Sequence, residues 1–324
     1  MIQCRSAERI RAPAIVRLGQ DRAPSMRNFD ETTITEAVLG RLTGASDPRI
    51  MEISAALVRH LHAFVSEVRP TVAEWQAGIA FLTETGRMCS DTRQEFVLLS
   101  DTLGVSMLVD AINHSTRGTT ESTVLGPFYV EGAPTMFNGD DISAGLAGEP
   151  LIVTGSVRGG DGAPVAGALV DVWHSDGGGF YDVQQLDRAG GLAMRARLVT
   201  GVDGGFRFWT IKPAAYPVPH DGPVGRMLQK QGRHPWRPAH VHFMIQAAGY
   251  AQLITHIFAE GDPYLNSDVV FGVKDSLIRP FVAMAAGAAP DGSDRSSGFF
   301  HLHYDFALER DPECRQADLK VAAR

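Results

Sequence analysis

Arg237-Pro238-Ala239-His240-Val241-His242-Phe243 reads as the entry to a β-strand that carries two imidazoles. Side chains alternate faces along a strand, so His240 and His242 share one face and Val241 takes the other. Two imidazoles at that spacing can serve one metal ion from a single strand, and Arg237 adds a permanent cation three residues upstream. Taken alone, the pair fits a strand with an ordinary polar face just as well.

Outward from this strand the texture repeats. Short β-rich runs occupy 151–157, 168–174, 206–211, 253–258 and 301–308, besides 240–246 itself. Glycine-rich turns separate them, such as Gly159-Gly160-Asp161-Gly162 and Asp203-Gly204-Gly205. Many short strands without interleaved helices predict an antiparallel β-sandwich, interrupted by one helix at 273–283. The N-terminal third has another period. Ile50, Ile53, Leu57, Leu61, Phe64 and Val68 recur at steps of three and four and draw one apolar stripe. Thr71 to Glu74 forms a capping-box pattern, and Asp91 to Gln94 repeats it before Phe96, Leu99, Leu103 and Leu108. Three or four helices are expected there.

The expected organisation is a disordered leader over 1–28, a helical linker or dimerisation domain over 29–118 and a β-sandwich over 119–324. The first 25 residues hold five arginines and two prolines but no apolar stretch of signal-sequence length, and a start at Met26 fits as well. The chain has 324 residues, 44% of them hydrophobic, enough for a substantial core. No apolar run is long enough to span a bilayer. The formal charge of −7, without a concentrated basic block, argues against nucleic acid as a partner. Cys4, Cys89 and Cys314 are odd in number and lack metal-type spacing, which points to a reducing compartment and a cytoplasmic protein.

Two further segments carry candidate donors. Asp171-Val172-Trp173-His174-Ser175-Asp176 runs from a strand into a glycine-rich loop that ends at Tyr181. Ile211-Lys212-Pro213-Ala214-Ala215-Tyr216-Pro217 is a strand end followed by irregular chain. Loops held by a rigid sandwich are common places for binding residues. Either tyrosine alone reads as a core or rim residue.

Their order, Tyr181, Tyr216, then Arg-Pro-x-His-x-His, resembles the intradiol ring-cleavage dioxygenases, which open aromatic diols with O2 and non-haem Fe(3+). The similarity covers about 29–308. The helical third looks like that family's linker, and Thr123-Val124-Leu125-Gly126-Pro127-Phe128-Tyr129-Val130 like its entry loop. The resemblance implies ferric iron held by Tyr181, Tyr216, His240 and His242. It implies that Tyr216 also serves as base towards the substrate and that Arg237 stabilises developing negative charge. Phenolate is a hard donor suited to the ferric ion. Residues 93–105, Thr255-His256-Ile257-Phe258 and 268–274 look closest to the branch that cleaves hydroxyquinol, with catechol and chlorocatechols as alternative substrates.

By the same resemblance Leu98, Asp101, Val124, Leu125, Gly126, Pro127, Phe128, Pro217, Val218, Pro219 and Val270 would surround the substrate, with His256 on the pocket floor. Asp101 could accept a hydrogen bond from an additional ring hydroxyl; its plainer reading is a solvated helix position. The product expected from hydroxyquinol is 3-hydroxy-cis,cis-muconate, or maleylacetate. A homodimer through the helices, with phospholipid as passenger, is implied as well. His301 and His303 form a second His-x-His pair without arginine or tyrosine beside it, and are expected to be structural. His174 is expected to make hydrogen bonds in the core. A cupin would add a glutamate and a third histidine downstream; a transthyretin-like carrier would need no donor set.

Overall fold

A computed structural model of the chain describes residues 27–44, 46–90, 93–114, 118–185 and 191–311. The leader up to Met26, Asp91 of the second capping pattern, the turn at 115–117, Cys4 and Cys314 lie outside the described residues. The chain divides into two compact units, Met1–Ile79 and Ala80–Arg324.

In the first unit α1 (Ile34–Leu39) precedes the long α2 (Pro48–Val68). Asp47 caps α2, its carboxylate accepting from the Arg49 amide at 2.8 Å, and Pro48 occupies the first turn, where its missing N–H costs nothing. Helix α3 (Val72–Arg87) begins with the expected capping box: the Thr71 amide donates to Glu74 at 2.8 Å and the Glu74 amide to Thr71 Oγ1 at 3.2 Å. The predicted stripe of α2 is real but uncovered. Its six apolar residues are each between 49% and 58% exposed, and α2 buries no residue at all.

The second unit contains α4 (Glu95–Thr102), α5 (Val105–Asn113) and two main sheets. Five α-helices are thus described before the first strand. One face of α4 inverts the sequence expectation: Glu95, Leu98, Asp101 and Thr102 are buried, while Phe96 and Leu103 are exposed. Glu95 is held inward because it accepts from Arg93 (2.9 Å) and from the Val224 amide (3.2 Å). Gln94 takes the cap position without a side-chain cap bond.

The four-stranded sheet runs β10 (Val282–Met284), β13 (Phe299–Leu308), β1 (Pro150–Gly159) and β4 (Gly205–Ile211), while β11 (Gly287–Ala288) and β12 (Asp294–Arg295) pair in a ribbon of their own. The five-stranded sheet runs β3 (Arg195–Val199), β2 (Leu169–His174), β7 (His240–Gln246), β8 (Leu253–Ala259) and β9 (Ile278–Arg279). Pairing is antiparallel except for β1 with β13 and β8 with β9. Val153, Val172, Phe208, Val241, Phe243, Ile245, Ile257 and Phe306 belong to one buried cluster shared by the two sheets. Strand alternation therefore commits the odd residues of β7 to the core and sends His240 and His242 to the opposite face.

No helix forms at 273–283. A 3-10 turn at Asp275–Leu277 is followed by β9 and β10. Pro280 explains it, since proline breaks a helix interior and holds the preceding residue extended. Among the described residues after β1, the α-helix is α6 (Pro223–Lys230), between β5 (Tyr216–Pro217) and β6 (Trp236–Arg237). No helix among the described residues is long and apolar enough to cross a membrane.

Candidate active site

The outer face of β7 is the floor of the site. Strand β2 places Trp173 directly opposite His242, and the two rings stack at 4.5 Å with 17° between planes. Strand β8 places His256 opposite His242 from the other side. The loop after β2 is shaped by Asp176, whose carboxylate accepts from the amides of Gly178 (2.8 Å) and Phe180 (2.9 Å). It delivers Tyr181 to the head of a 3-10 turn at Asp182–Gln184. That turn is tied down by the buried ion pair of Asp182 with Arg195, and Arg195 also donates to the Phe128 carbonyl at 3.1 Å. In the β5–β6 ribbon Tyr216 lies opposite Arg237.

These segments bring together the four donors that the sequence singled out. Tyr181 Oη lies 2.9 Å from His242 Nε2, and His240 Nε2 lies 3.0 Å from His242 Nε2. The rings of Tyr181 and Tyr216 are 5.1 Å apart, and those of Tyr216 and His240 5.5 Å. All four residues are buried. His240 Nδ1 lies 2.7 Å from the Pro238 carbonyl, which can only accept. The proton is therefore on Nδ1 and the lone pair of Nε2 faces the cluster, the tautomer a metal ligand needs.

Burial, reinforced by Arg237 and by the neighbouring imidazoles, holds His240, His242 and His256 well below the usual histidine range, so all three are neutral. Burial, and next Tyr216, pushes the Tyr181 phenol well above its ordinary value. A cation among these atoms would reverse that preference. Two phenols and two neutral imidazoles thus fit a hard, highly charged metal ion.

Arg237 is 1% exposed, and its Nη1 lies 3.5 Å from His240 Nε2. Burial opposes its charge, but Asp268 together with the Tyr216 and Tyr181 phenols outweighs burial and keeps the guanidinium charged. Asp268 grips it bidentately, Nε to Oδ1 at 3.0 Å and Nη2 to Oδ2 at 3.2 Å. Asp268 and Trp173 both stand in stretches quoted above, yet neither was singled out. Pairing across 31 residues leaves no local signature.

The expected substrate residues divide. Leu98, Val124, Val218 and Val270 meet in one apolar cluster with Val224, Leu228 and Val269. Asp101 is only 3% exposed, so it is no solvated helix position, and burial raises its carboxyl above the usual range. Arg233 holds the end of α4 in place, donating to the carbonyls of Thr102 (2.7 Å) and Val269 (2.9 Å). Gly126, at φ +76°, passes so close to His242 that a Cβ would lie 3.3 Å from its Cε1. Phe128 leaves the apolar cluster and stacks on Tyr181 at 4.3 Å. Leu125 is at the margin of exposure, and Pro127, Pro217 and Pro219 are half-buried. A cleft of about 660 Å³ is lined by Phe180, Ala215 and Ala239, the residues that immediately precede Tyr181, Tyr216 and His240, but by none of the four donors.

His174, His301 and His303 make hydrogen bonds within the sandwich, as expected. His174 is fully buried between the Ser175 carbonyl and Thr210 Oγ1, both at 2.7 Å. His301 and His303 both turn to Thr154 Oγ1, at 2.8 and 2.9 Å.

Residues 124–310 match the family model described as Dioxygenase, and residues 47–120 the one described as Catechol dioxygenase N terminus. With this sandwich and donor cluster, the chain belongs to the intradiol ring-cleavage dioxygenases and is an enzyme of that class. It is 51% identical over 286 residues to a 6-chlorohydroxyquinol 1,2-dioxygenase of Cupriavidus pinatubonensis, covering 87% of this chain and 99% of that protein. It is 50% identical over 280 residues to a hydroxyquinol 1,2-dioxygenase of Nocardioides simplex, at 86% and 95% coverage. The solved structure of a hydroxyquinol 1,2-dioxygenase from Pseudomonas putida DLL-E4 superposes with a TM-score of 0.81 at 46% identity, over 87% of this chain and 99% of that one.

Proposed function

We propose that this chain cleaves hydroxyquinol, benzene-1,2,4-triol, with O2 between its vicinal hydroxyls, using one Fe(3+) bound by Tyr181, Tyr216, His240 and His242. The observation that carries this is the convergence of two buried phenols and two buried neutral imidazoles beside a charged arginine. Relatives of about 50% identity that are named for hydroxyquinol support the substrate. A ferric ion held by these four residues would supply Lewis acidity towards the diol, with the substrate supplying the electrons for O2.

The protein does the rest by placement. Tyr216 Oη accepts a proton from one substrate hydroxyl, beside Arg237 on the neighbouring strand. Arg237, which Asp268 prevents from turning away, faces the negative charge that develops on the substrate. The apolar cluster of Leu98, Val124, Val218 and Val270 excludes water from the ring. Asp101 accepts the hydrogen bond of the third hydroxyl, and His256 closes the floor. The exposed apolar stripe of α2 supports a homodimer built on the helices, with phospholipid as its passenger. The odd cysteine count supports a cytoplasmic setting.

Iron-loaded protein should be coloured by a tyrosinate-to-iron charge-transfer band and should consume O2 with hydroxyquinol faster than with catechol or chlorocatechols. Tyr216→Phe should shift the band and weaken iron retention. Full activity with an unchanged spectrum in that variant would remove Tyr216 from the ligand set.

A further inference from the structure

His256 offers more than a pocket wall. It sits in register opposite His242, and its ring centre is 4.2 Å from that of His242 and 4.7 Å from that of His240. It is fully buried, and its Nε2 has no hydrogen-bond partner. A buried polar atom left unpaired costs free energy, so a nitrogen in that position points to something it binds. The other nitrogen, Nδ1, lies 2.5 Å from Thr123 Oγ1, which fixes the ring's orientation.

The ligating atoms of His240, His242 and His256 all lie within 4.8 Å of one another. We propose that these three imidazoles form a site for a divalent transition-metal ion of the zinc or cobalt type. Three neutral imidazoles and one open position are a donor set that such ions accept in tetrahedral geometry, with metal–nitrogen distances of about 2.0–2.1 Å. The phenols take no part. Arg237 opposes positive charge at all three imidazoles, and its bidentate partner Asp268 offsets part of that repulsion. Two of the three imidazoles are shared with the proposed ferric site, so the two ions exclude one another. Protein that acquires zinc before iron is then colourless and inactive until the ion is removed. The phenols are the discriminating donors: they are needed for the trivalent ion and dispensable for the divalent one.

The test uses the full chain stripped of metal and titrated with Co2+, whose visible bands report tetrahedral coordination. One equivalent should bind. His256→Gln should weaken Co2+ binding about ten-fold or more, the scale on which support of a metal site is lost. The double variant Tyr181→Phe/Tyr216→Phe should bind Co2+ within about two-fold of the unaltered chain, because no phenolate is used. Equal Co2+ affinity in His256→Gln, or a comparable loss in the tyrosine variant, would overturn the three-imidazole site. X-ray absorption of the zinc-loaded, unaltered chain needs no folded variant: three imidazoles support the site, and two imidazoles with phenolate oxygens refute it. The ferric band of unaltered and His256→Gln protein is read in parallel. Loss of that band in the unaltered chain sinks the ferric assignment and leaves the cobalt result standing.

Discussion

Replacing Asp268 by asparagine keeps the side chain's volume and removes its charge. In the structure Asp268 Oδ1 accepts from Arg237 Nε at 3.0 Å and from the Val270 amide at 3.4 Å. Its Oδ2 accepts from Arg237 Nη2 at 3.2 Å and from the Gly272 amide at 2.9 Å. Both side chains of the pair are 2% exposed, so water cannot take over either role. The backbone closes the remaining space, since a Cβ on Gly272 would lie 2.9 Å from Arg237 Nη2. The variant therefore leaves a buried guanidinium unpaired, a change that costs about 3–5 kcal/mol. Against a typical domain stability of about 5–15 kcal/mol, urea denaturation resolves this as a large drop in midpoint with unchanged slope. A second variant separates stability from chemistry. Adding Arg237→Met to Asp268→Asn removes the stranded charge while an amide oxygen remains for the backbone N–H groups, and should recover part of the stability because no buried charge is left alone. It should not recover turnover, since loss of one preorganised charge facing the reacting atoms costs about 10²–10³ in kcat. A loss below about 1 kcal/mol in Asp268→Asn would refute the reasoning. So would a double variant no more stable than the single one.

Asp101→Ala should narrow the preference for hydroxyquinol over catechol in kcat/KM by about ten- to a hundred-fold, the value of one buried hydrogen bond of about 1–3 kcal/mol, while sparing catechol. If both substrates fall together, Asp101 supports α4 instead. Burial lowers His174 to about 4 from its ordinary 6.5, so between those values the unfolded chain binds the extra proton and stability rises with pH. That gap is worth on the order of 3 kcal/mol, fully present above about pH 6.5 and lost as the pH falls towards 4. His174→Gln should flatten the pH dependence of the urea midpoint in this window, and an unchanged dependence contradicts the assignment. Sedimentation at micromolar concentration should give a dimer, which Leu57→Glu/Leu61→Glu converts to a monomer. A monomeric unaltered chain means that the α2 stripe has another cover.

Period-2 alternation in the sequence determined which way His240 and His242 face, because Val241, Phe243 and Ile245 must reach the core together. Short-range chemistry likewise determined the capping box at Thr71 and Glu74, and the order of tyrosines and histidines pointed to the family. Other features depended on tertiary structure. An apolar stripe states that one face of α2 needs cover, but not what covers it, and the described structure leaves that face open. The helix expected at 273–283 yielded to Pro280 and to Leu277, which is drawn into the sandwich core. The inward face of α4 turned out largely polar, because Glu95 finds one partner in the nearby Arg93 and another in the Val224 amide, 129 residues along the chain. Asp268 beneath Arg237 and His256 opposite His242 are products of strand register and loop closure. A one-dimensional pattern cannot carry them, since the partners that give these side chains their roles are brought near only when the sheets close.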